Sequence, residues 1–356
     1  NTTAKRGFLG VLSVKKREHA RNIDASGSGI VQDFVPQQEQ MLPSSGITLP
    51  AQLDNVADVK DTAVSVLGSE IPFLWHVPFG GGAAAMLYMG ICLGLTQASN
   101  KGTNQGREFL VAVETNIGRY INVDTFTMEG IHRAKRLGLM SPPNTNGGVA
   151  VDIIHTGSDV LYDVTDALFT PSHRGRMMAL FREPIESLVL WFNFVNSHEE
   201  FKGISGLSIE DYAKSDGDRR EFNWLTKYLS QYQDDDDLSM HHLNVAKEVI
   251  REKFLVGLVD QMEVSMWRFQ ATFGWQQQDL SRSAHTQAEC DDWANPNTNS
   301  STDWANPNPN SSTDGLQQKV IEGSETYELL KEKISFDIHL YDFIVEIFDL
   351  QGNMFG

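Results

Sequence analysis

The residues best suited to chemistry are three consecutive glycines, Gly80, Gly81 and Gly82, between an apolar strand-like segment and an apolar helix-like segment. A strand, a glycine-rich turn and a helix direct backbone N–H groups and the positive end of a helix dipole at an anion. Glycine also lets the backbone approach a phosphate or sulfate closely. The turn contains no Lys, Ser or Thr, so it equally suits a tight connection between a core strand and a core helix.

Alternating strand-like and helix-like segments from residue 70 onward predict the elements that position this turn. They indicate an α/β fold with a parallel central sheet flanked by helices. Predicted strands span 73–77, 119–124, 149–154, 176–181 and 254–258, and predicted helices begin near Ala83, Thr127, Asp159, Arg182, Ser208 and Ser239, with another reaching Phe273. Ligands bind such sheets beyond the carboxyl ends of the strands. We therefore expect residues 79–83, His155 and Arg182 to lie along one rim.

Composition divides the chain into a polar N-terminal arm over residues 1–65 and an α/β domain over 66–356. Within the domain, 276–320 is a low-complexity insertion that contains a duplicated eleven-residue unit, Asp292–Thr302 and Asp303–Thr313, typical of a disordered or glycosylated segment. The end of the chain, Ser324 to Leu350, is predicted to be an amphipathic helix that packs back on the sheet.

The net charge of −18 argues against nucleic acid as a partner, because phosphate backbones favour a basic surface. The uncharged run from Val77 to Ser99 is too short in its apolar part to span a membrane, so we expect no transmembrane segment. Four consecutive aspartates, 234–237, are expected to form a solvated loop. No Cys/His cluster has the spacing of a zinc site, and no metal is predicted.

Two cysteines, Cys92 and Cys290, allow at most one internal disulfide, and the sequence leaves their pairing open. Cys92 lies in an apolar segment and is expected to be buried. Three N-x-Ser/Thr sequons, at Asn1, Asn299 and Asn310, fit a protein of the secretory pathway (Golgi lumen) or the extracellular space. The chain begins without Met, so we expect that an N-terminal signal or anchor is absent from this sequence.

Several segments in order resemble the sulfotransferase superfamily, specifically the carbohydrate (Golgi-type) sulfotransferase-like proteins of marine microalgae. They include Trp75-His-Val-Pro followed by the glycines, the stretch from Tyr120 to Leu139, and Phe181-Arg-Glu-Pro-Ile-Glu186. Further matching segments are 167–176, 208–214, 223–229 and 254–275. The resemblance covers about residues 70–275 and the final helix, and it implies a P-loop-like sulfotransferase fold.

The resemblance implies transfer of a sulfuryl group from 3′-phosphoadenosine 5′-phosphosulfate to a carbohydrate hydroxyl. In such enzymes a loop of the form Pro-Lys-[Ser/Thr]-Gly-x-Thr holds the phosphosulfate. The corresponding positions here are Phe79, Gly80, Ala83 and Ala84, so the lysine and the hydroxyl groups are missing. The cofactor-binding residues implied by the resemblance are Gly80, Gly81, Gly82, Ala83 and Arg182.

Arg182 matches the arginine that binds the 3′-phosphate in these enzymes, although the serine expected eight residues later is Leu190. Ser187 lies in the same predicted helix at a different angle. Arg182 could also pair with Glu183 or Glu186. The resemblance also implies a role for His155, because members of the cytosolic branch of the superfamily carry a catalytic histidine at the end of the corresponding strand. There it could act as a general base or simply bond to a carbonyl group.

Two functions follow from this pattern. The first is a non-catalytic sulfotransferase-fold protein with a degenerate donor site, which serves as a binding or scaffold protein for a glycan or protein partner. The second is an active sulfotransferase that uses 3′-phosphoadenosine 5′-phosphosulfate, with His155 as its base. The joint loss of Lys, Ser and Thr from one predicted pocket favours the first.

Overall fold

The computed structural model describes residues 46–63, 70–102, 108–141, 150–198, 204, 206–215, 221–232, 238–277, 288–290 and 318–355. They all fall within one compact unit, Pro36–Gly356. The three sequons, the duplicated Trp-Asn-Pro unit, the aspartate run 234–237 and the first 45 residues of the predicted arm lie outside the described residues.

A seven-stranded sheet forms the centre of the described part of the chain, in the order β3-β4-β2-β5-β1-β6-β7. The strands are β1 Glu70–Trp75, β2 Thr96–Ala98, β3 Ala112–Thr115, β4 Gly118–Ile121, β5 Ile153–Thr156, β6 Arg174–Phe181 and β7 Phe254–Leu258. Neighbouring strands are parallel except for the β3–β4 hairpin. The predicted α/β class, with a mostly parallel central sheet and helices, is confirmed.

The helices differ in their first turn, where in some of them a side chain accepts a hydrogen bond from a free N–H group. They are α1 Gly82–Leu87, α2 Met128–Arg136, α3 Leu161–Leu168, α4 Pro184–Asn196, α5 Ile209–Lys214, α6 Trp224–Leu229, α7 Met240–Lys253, α8 Met262–Phe273, α9 Glu325–Lys333 and α10 Ser335–Gly352. As predicted, Thr127 caps α2 by accepting from the Gly130 N–H. Glu183 caps α4, whose first residue is Pro184, a position that needs no N–H donor.

Apolar residues alternate along the strands and form a separate core on each face of the sheet. Phe73 and Met177 face a core that includes Ile344 of α10, whereas Leu74 and Met178 face a core that includes Phe269 of α8. A third cluster joins α4, α5 and α9. The sheet is therefore covered on both faces, which fixes the loops at its carboxyl edge.

The end of the chain packs on the sheet, as predicted. The Gln351 side chain in α10 donates to the Phe254 carbonyl (2.8 Å) and accepts from the Val256 N–H (2.9 Å), both in β7. The predicted single helix is two helices, because the backbone at Ile334 leaves the helical conformation (φ −111°, ψ 28°).

Residues 46–63, which the sequence assigned to the polar arm, pack against the domain. Leu53 and Val56 are buried in the core that contains Phe73. The Ala57 N–H donates to the Gly175 carbonyl (2.8 Å), and Asp58 pairs with Lys253 at 2.7 Å. The described part of the predicted arm is thus fixed by burial, a backbone bond and an ion pair.

Cys92 and Cys290 form a disulfide bond, and both side chains are buried. Cys92 lies in the π-helical turn Tyr88–Cys92 that continues α1. The bond therefore fixes the helix after the glycine turn to the segment near residue 290. Within the described residues, we find no helix long and apolar enough to cross a membrane.

Candidate functional site

The glycine turn follows the strand at which the chain order reverses across the sheet. β1 lies between β5 and β6; β2, which follows β1 in the chain, lies beyond β5, whereas β7 lies beyond β6. Crevices at such a switch point are the usual ligand sites of open α/β sheets. The glycine turn therefore lies near the centre of the carboxyl edge of the sheet.

The backbone of the turn is tightly constrained. A side chain at Gly80 would place its Cβ 2.5 Å from the Leu180 carbonyl oxygen, and Gly81 has a φ of +77°. Phe79, which precedes them, also has a positive φ of +56°, a conformation that residues with a Cβ rarely adopt. Gly80 is thus required by the close approach of β6, Gly81 by its positive φ and Gly82 by the His76 ring, 2.6 Å from where its Cβ would lie, whether or not a ligand binds.

A cavity of about 580 Å³ opens at this turn. The glycine turn and the start of α1 form one side of it. Its other walls come from the loops after β1, β4, β5, β6 and β7 and from helices α4 and α8, through residues that include His76, Phe79, Phe126, Ser158, Asp159, Arg182, Phe194, Val259 and Met262. The volume lies within the range of roughly 300–1,000 Å³ that is usual for small-ligand pockets.

Arg182 follows β6 directly and borders the cavity. Its Nε donates to the Phe79 carbonyl (2.8 Å), and one terminal nitrogen lies 3.5 Å from a Glu186 carboxylate oxygen. The sequence left open whether Arg182 would pair with a glutamate or face an anion. The structure pairs it with Glu186 and also places it on the cavity wall.

A carboxylate also lines the cavity, at the start of the helical segment after β5. Asp159 accepts a hydrogen bond from the Ser158 hydroxyl (2.9 Å), and both residues face the cavity. Among the described residues that line it, Arg182 and Asp159 are the charged ones. Their opposite charges leave the wall without a net charge.

Two histidines meet below the turn. His76 follows β1 and borders the cavity, and its Nε2 lies 3.2 Å from Nδ1 of His155, the predicted base in β5. The His155 side chain is fully buried, and its Nε2 has no hydrogen-bond partner among the described residues. His155 therefore contacts His76, which faces the cavity.

Both imidazoles are held in the neutral form. Burial lowers the pKa of His76 to about 3, and the positive charge of Lys101 acts in the same direction. Burial, together with the neighbouring His76, lowers the pKa of His155 well below its ordinary value. Because removal from water disfavours the imidazolium, neither ring carries a charge at neutral pH.

The cavity brings together most of the residues selected from the sequence, namely Gly80, Gly81, Gly82, Ala83 and Arg182. His155 lies behind this wall. The sequence reasoning missed His76, Ser158 and Asp159 as cavity residues. The sequence held no signal for them beyond their position after a strand, because the register that pairs Leu74 with His155 and brings His76 to the cavity is set by the fold.

The described residues contain no group of three or more His, Cys, Asp or Glu side chains that could hold a metal ion. Comparisons of the chain with protein-family models, curated proteins and solved structures give no match.

Proposed function

We propose that the chain is a sulfotransferase-fold protein with a degenerate donor site that binds a saccharide and transfers no sulfuryl group. The carrying observation is the charge of the cavity at the glycine turn, where Arg182 and Asp159 balance each other among the described lining residues. Such a site offers no excess positive charge to an anionic donor. It suits a neutral ligand with many hydroxyl groups.

The side chains of the cavity support a saccharide as that ligand. Phe79, Phe126 and Phe194 provide aromatic surface, against which the C–H face of a sugar ring can pack. Asp159 can accept hydrogen bonds from hydroxyl groups, and Arg182 can donate them. Pockets of this kind combine an apolar lining with a few polar groups that fix the orientation of the ligand.

The position of the turn supports a P-loop-like sulfotransferase fold. A strand inside a parallel sheet, a glycine turn and a helix occur in that order, and the turn faces the ligand-binding edge. The resemblance of the segments described above is the second support. The buried Cys92–Cys290 disulfide supports a location in the secretory pathway or outside the cell, where disulfides persist.

The lining residues do not fit 3′-phosphoadenosine 5′-phosphosulfate, the donor that the resemblance implies. The turn supplies no cationic or hydroxyl side chain, and Arg182 already binds the Phe79 carbonyl and Glu186. Each missing charge-assisted bond is worth roughly 1.5–3 kcal/mol, so three missing groups cost on the order of 5 kcal/mol. A micromolar site would weaken to about millimolar or worse.

The alternative is an active sulfotransferase that moves a sulfuryl group to a carbohydrate hydroxyl. It is favoured by one observation, that the glycine turn and Arg182 border the same cavity. In that case Gly80, Gly81, Gly82, Ala83 and Arg182 would hold the donor. His76, with a pKa of about 3, would be a weak general base at neutral pH, because efficient bases titrate near the working pH.

Thermal-shift titrations separate the two functions. We expect neutral trisaccharides such as maltotriose or cellotriose to raise the midpoint by a few degrees at about ten times Kd. We expect 1 mM 3′-phosphoadenosine 5′-phosphate to change the midpoint little, because the missing contacts leave a Kd on the order of 1 mM. A clear rise with micromolar nucleotide would overturn the proposal in favour of the enzyme, and a flat response to every saccharide would refute saccharide binding.

A double substitution tests whether the missing groups explain weak nucleotide binding. Phe79→Lys with Ala83→Thr restores a cation and a hydroxyl at the turn, so binding of 3′-phosphoadenosine 5′-phosphate should tighten about tenfold or more, since one charge-assisted bond contributes at least that much. Isothermal titration calorimetry measures the change. The matched control, Phe79→Leu with Ala83→Val, removes the ring without adding a polar group and should bind no better than the parent. Equal affinities in both variants would mean that these positions do not face a donor.

A further inference from the structure

A second, smaller cavity lies against the first. It has a volume of about 70 Å³, and Val77, Pro78, Phe79 and Arg182 border both cavities. Phe79 and Arg182 therefore line both cavities. A ligand in the main cavity has the smaller one directly beside it.

The rest of the smaller cavity is mostly apolar. Its wall includes Phe181, Leu188, Trp191, Trp224, Leu225 and Ile334. Trp224 stacks on Trp75 with ring centroids 5.8 Å apart, which holds this part of the wall in place. A surface of this kind binds apolar groups and excludes water.

The carboxylates beside this cavity already have partners. The two Asp337 oxygens accept from the Leu225 N–H (3.1 Å), the Thr226 N–H (2.8 Å) and the Thr226 hydroxyl (2.7 Å). Glu221 also has an interaction partner. These groups are satisfied without a ligand, so the cavity does not call for a cation or a hydrogen-bonding group.

We propose that the smaller cavity is a subsite for a short apolar substituent on the saccharide. The inference rests on the proposed function and adds the class of sugar that the site prefers. An apolar cavity of about 150 Å³ accommodates benzene. The smaller cavity has about half that volume, which suits a group of two to four heavy atoms, either an alkyl group on the glycosidic oxygen or an acyl group on an amino sugar.

The test compares methyl, propyl and octyl glycosides of one sugar, and in a separate arm the N-acetyl and N-butyryl forms of one amino sugar. Fluorescence of Trp191 and Trp224 reports occupancy, because both rings line the cavity. Burying a methylene group strengthens binding about fourfold, so the propyl glycoside should bind on the order of tenfold tighter than the methyl glycoside. The octyl chain should add little more, because the cavity is full.

A substitution that enlarges the cavity should shift this preference. In Leu188→Ala, the ratio of the affinity for the octyl glycoside to that for the propyl glycoside should rise about tenfold over the ratio in the parent protein. In the other arm, the ratio of N-butyryl to N-acetyl affinity should rise by a similar factor. The control is Leu207→Ala, which removes the same atoms from a residue that packs on the same cluster but does not line the cavity. Its preference should match that of the parent, and a loss of fold alone would not create a new preference.

The outcomes distinguish the inference from the proposed function. If the methyl, propyl and octyl glycosides and the acyl series all bind equally well, the subsite is refuted while saccharide binding stands. A shift of preference in Leu207→Ala equal to that in Leu188→Ala would also refute the subsite. If no saccharide binds at all, both proposals are wrong.

Discussion

At the scale of single residues, the two histidines beneath the glycine turn carry a consequence for stability. His155 is fully buried against His76, and burial lowers the pKa of both imidazoles. In the unfolded chain each imidazole titrates near its ordinary pKa of about 6.5. The unfolded state therefore binds more protons than the folded state between that pH and the folded-state value of about 3 for His76.

Stability should fall as the pH drops below about 6.5, because proton uptake then favours unfolding. Replacing His155 with Asn removes one of these groups. The free energy of unfolding of the parent protein should therefore fall by about 1 kcal/mol more than that of the variant between pH 6 and pH 5. Urea titrations at the two pH values give the comparison.

The control for this prediction is His132→Asn, which removes an exposed imidazole from α2. Between pH 6 and pH 5, the free energy of unfolding of this variant should change as much as that of the parent protein. An equal change in the free energy of unfolding for the parent and for His155→Asn would contradict the argument from burial.

The residues of the site were partly predictable from the sequence, because the position of some of them depends only on the local order of strand and turn. The Gly80–Gly82 turn and Arg182 each follow a predicted strand. Because the carboxyl ends of parallel strands lie at one edge of the sheet, this alone places them at the same edge. His76 and Asp159 face the same cavity only because β1 and β5 pair in a particular register and the loop after β5 bends towards the turn. Nothing in their local sequence distinguishes them from other polar residues after a strand.

At the scale of elements, Asp337 joins two helices that are distant in the sequence. Its carboxylate in α10 accepts bonds from the first N–H groups of α6, which have no partner within their own helix. The pKa of this carboxyl group is raised by burial, although the bonds from Thr226 and Leu225 oppose the shift. The junction thus depends on a buried acceptor.

Asp337→Asn replaces one of the two acceptor oxygens with a donor. We expect the free energy of unfolding to fall by about 1–3 kcal/mol, the cost of leaving a buried donor without its bond. Chemical denaturation provides the measurement. Asp342→Asn on the same helix is exposed and should change stability by less than about 0.5 kcal/mol. Similar losses in both variants would refute the role given to Asp337.

Elements with strong apolar patterns were predicted well, and two short strands with polar residues were missed. The bounds of β7, Phe254–Leu258, agree with the prediction, because a fully buried strand reads as a continuous apolar run. β2, Thr96–Ala98, was missed because its three residues include the buried polar side chains Thr96 and Gln97. β3, Ala112–Thr115, was also missed, since it is exposed in part and lacks a clear alternation, whereas β4, Gly118–Ile121, overlaps the strand predicted over 119–124.

At the scale of the whole molecule, the Cys92–Cys290 bond closes a loop with a sequence separation of 198. In the chain-entropy description, cross-linking so long a loop destabilises the unfolded state by about 5 kcal/mol. The sequence left this pairing open, since two cysteines carry no information about the distance between them. Their proximity results from the packing of the helix after the glycine turn.

Replacing both cysteines with alanine should lower the free energy of unfolding by about 2–5 kcal/mol. Each single replacement should lose about as much as the double one, because either removes the whole bond. Differential scanning calorimetry gives the values, and alkylation of the denatured parent protein should detect no free thiol. Two alkylated thiols in that protein would show that the bond does not form.

Phe79 has a further consequence for how the sequence can change. Its positive φ is a conformation that glycine adopts freely and that costs a residue with a Cβ roughly 1 kcal/mol or more. A glycine at this position would relieve that strain, but it would also remove the ring that lines both cavities and packs on Phe194.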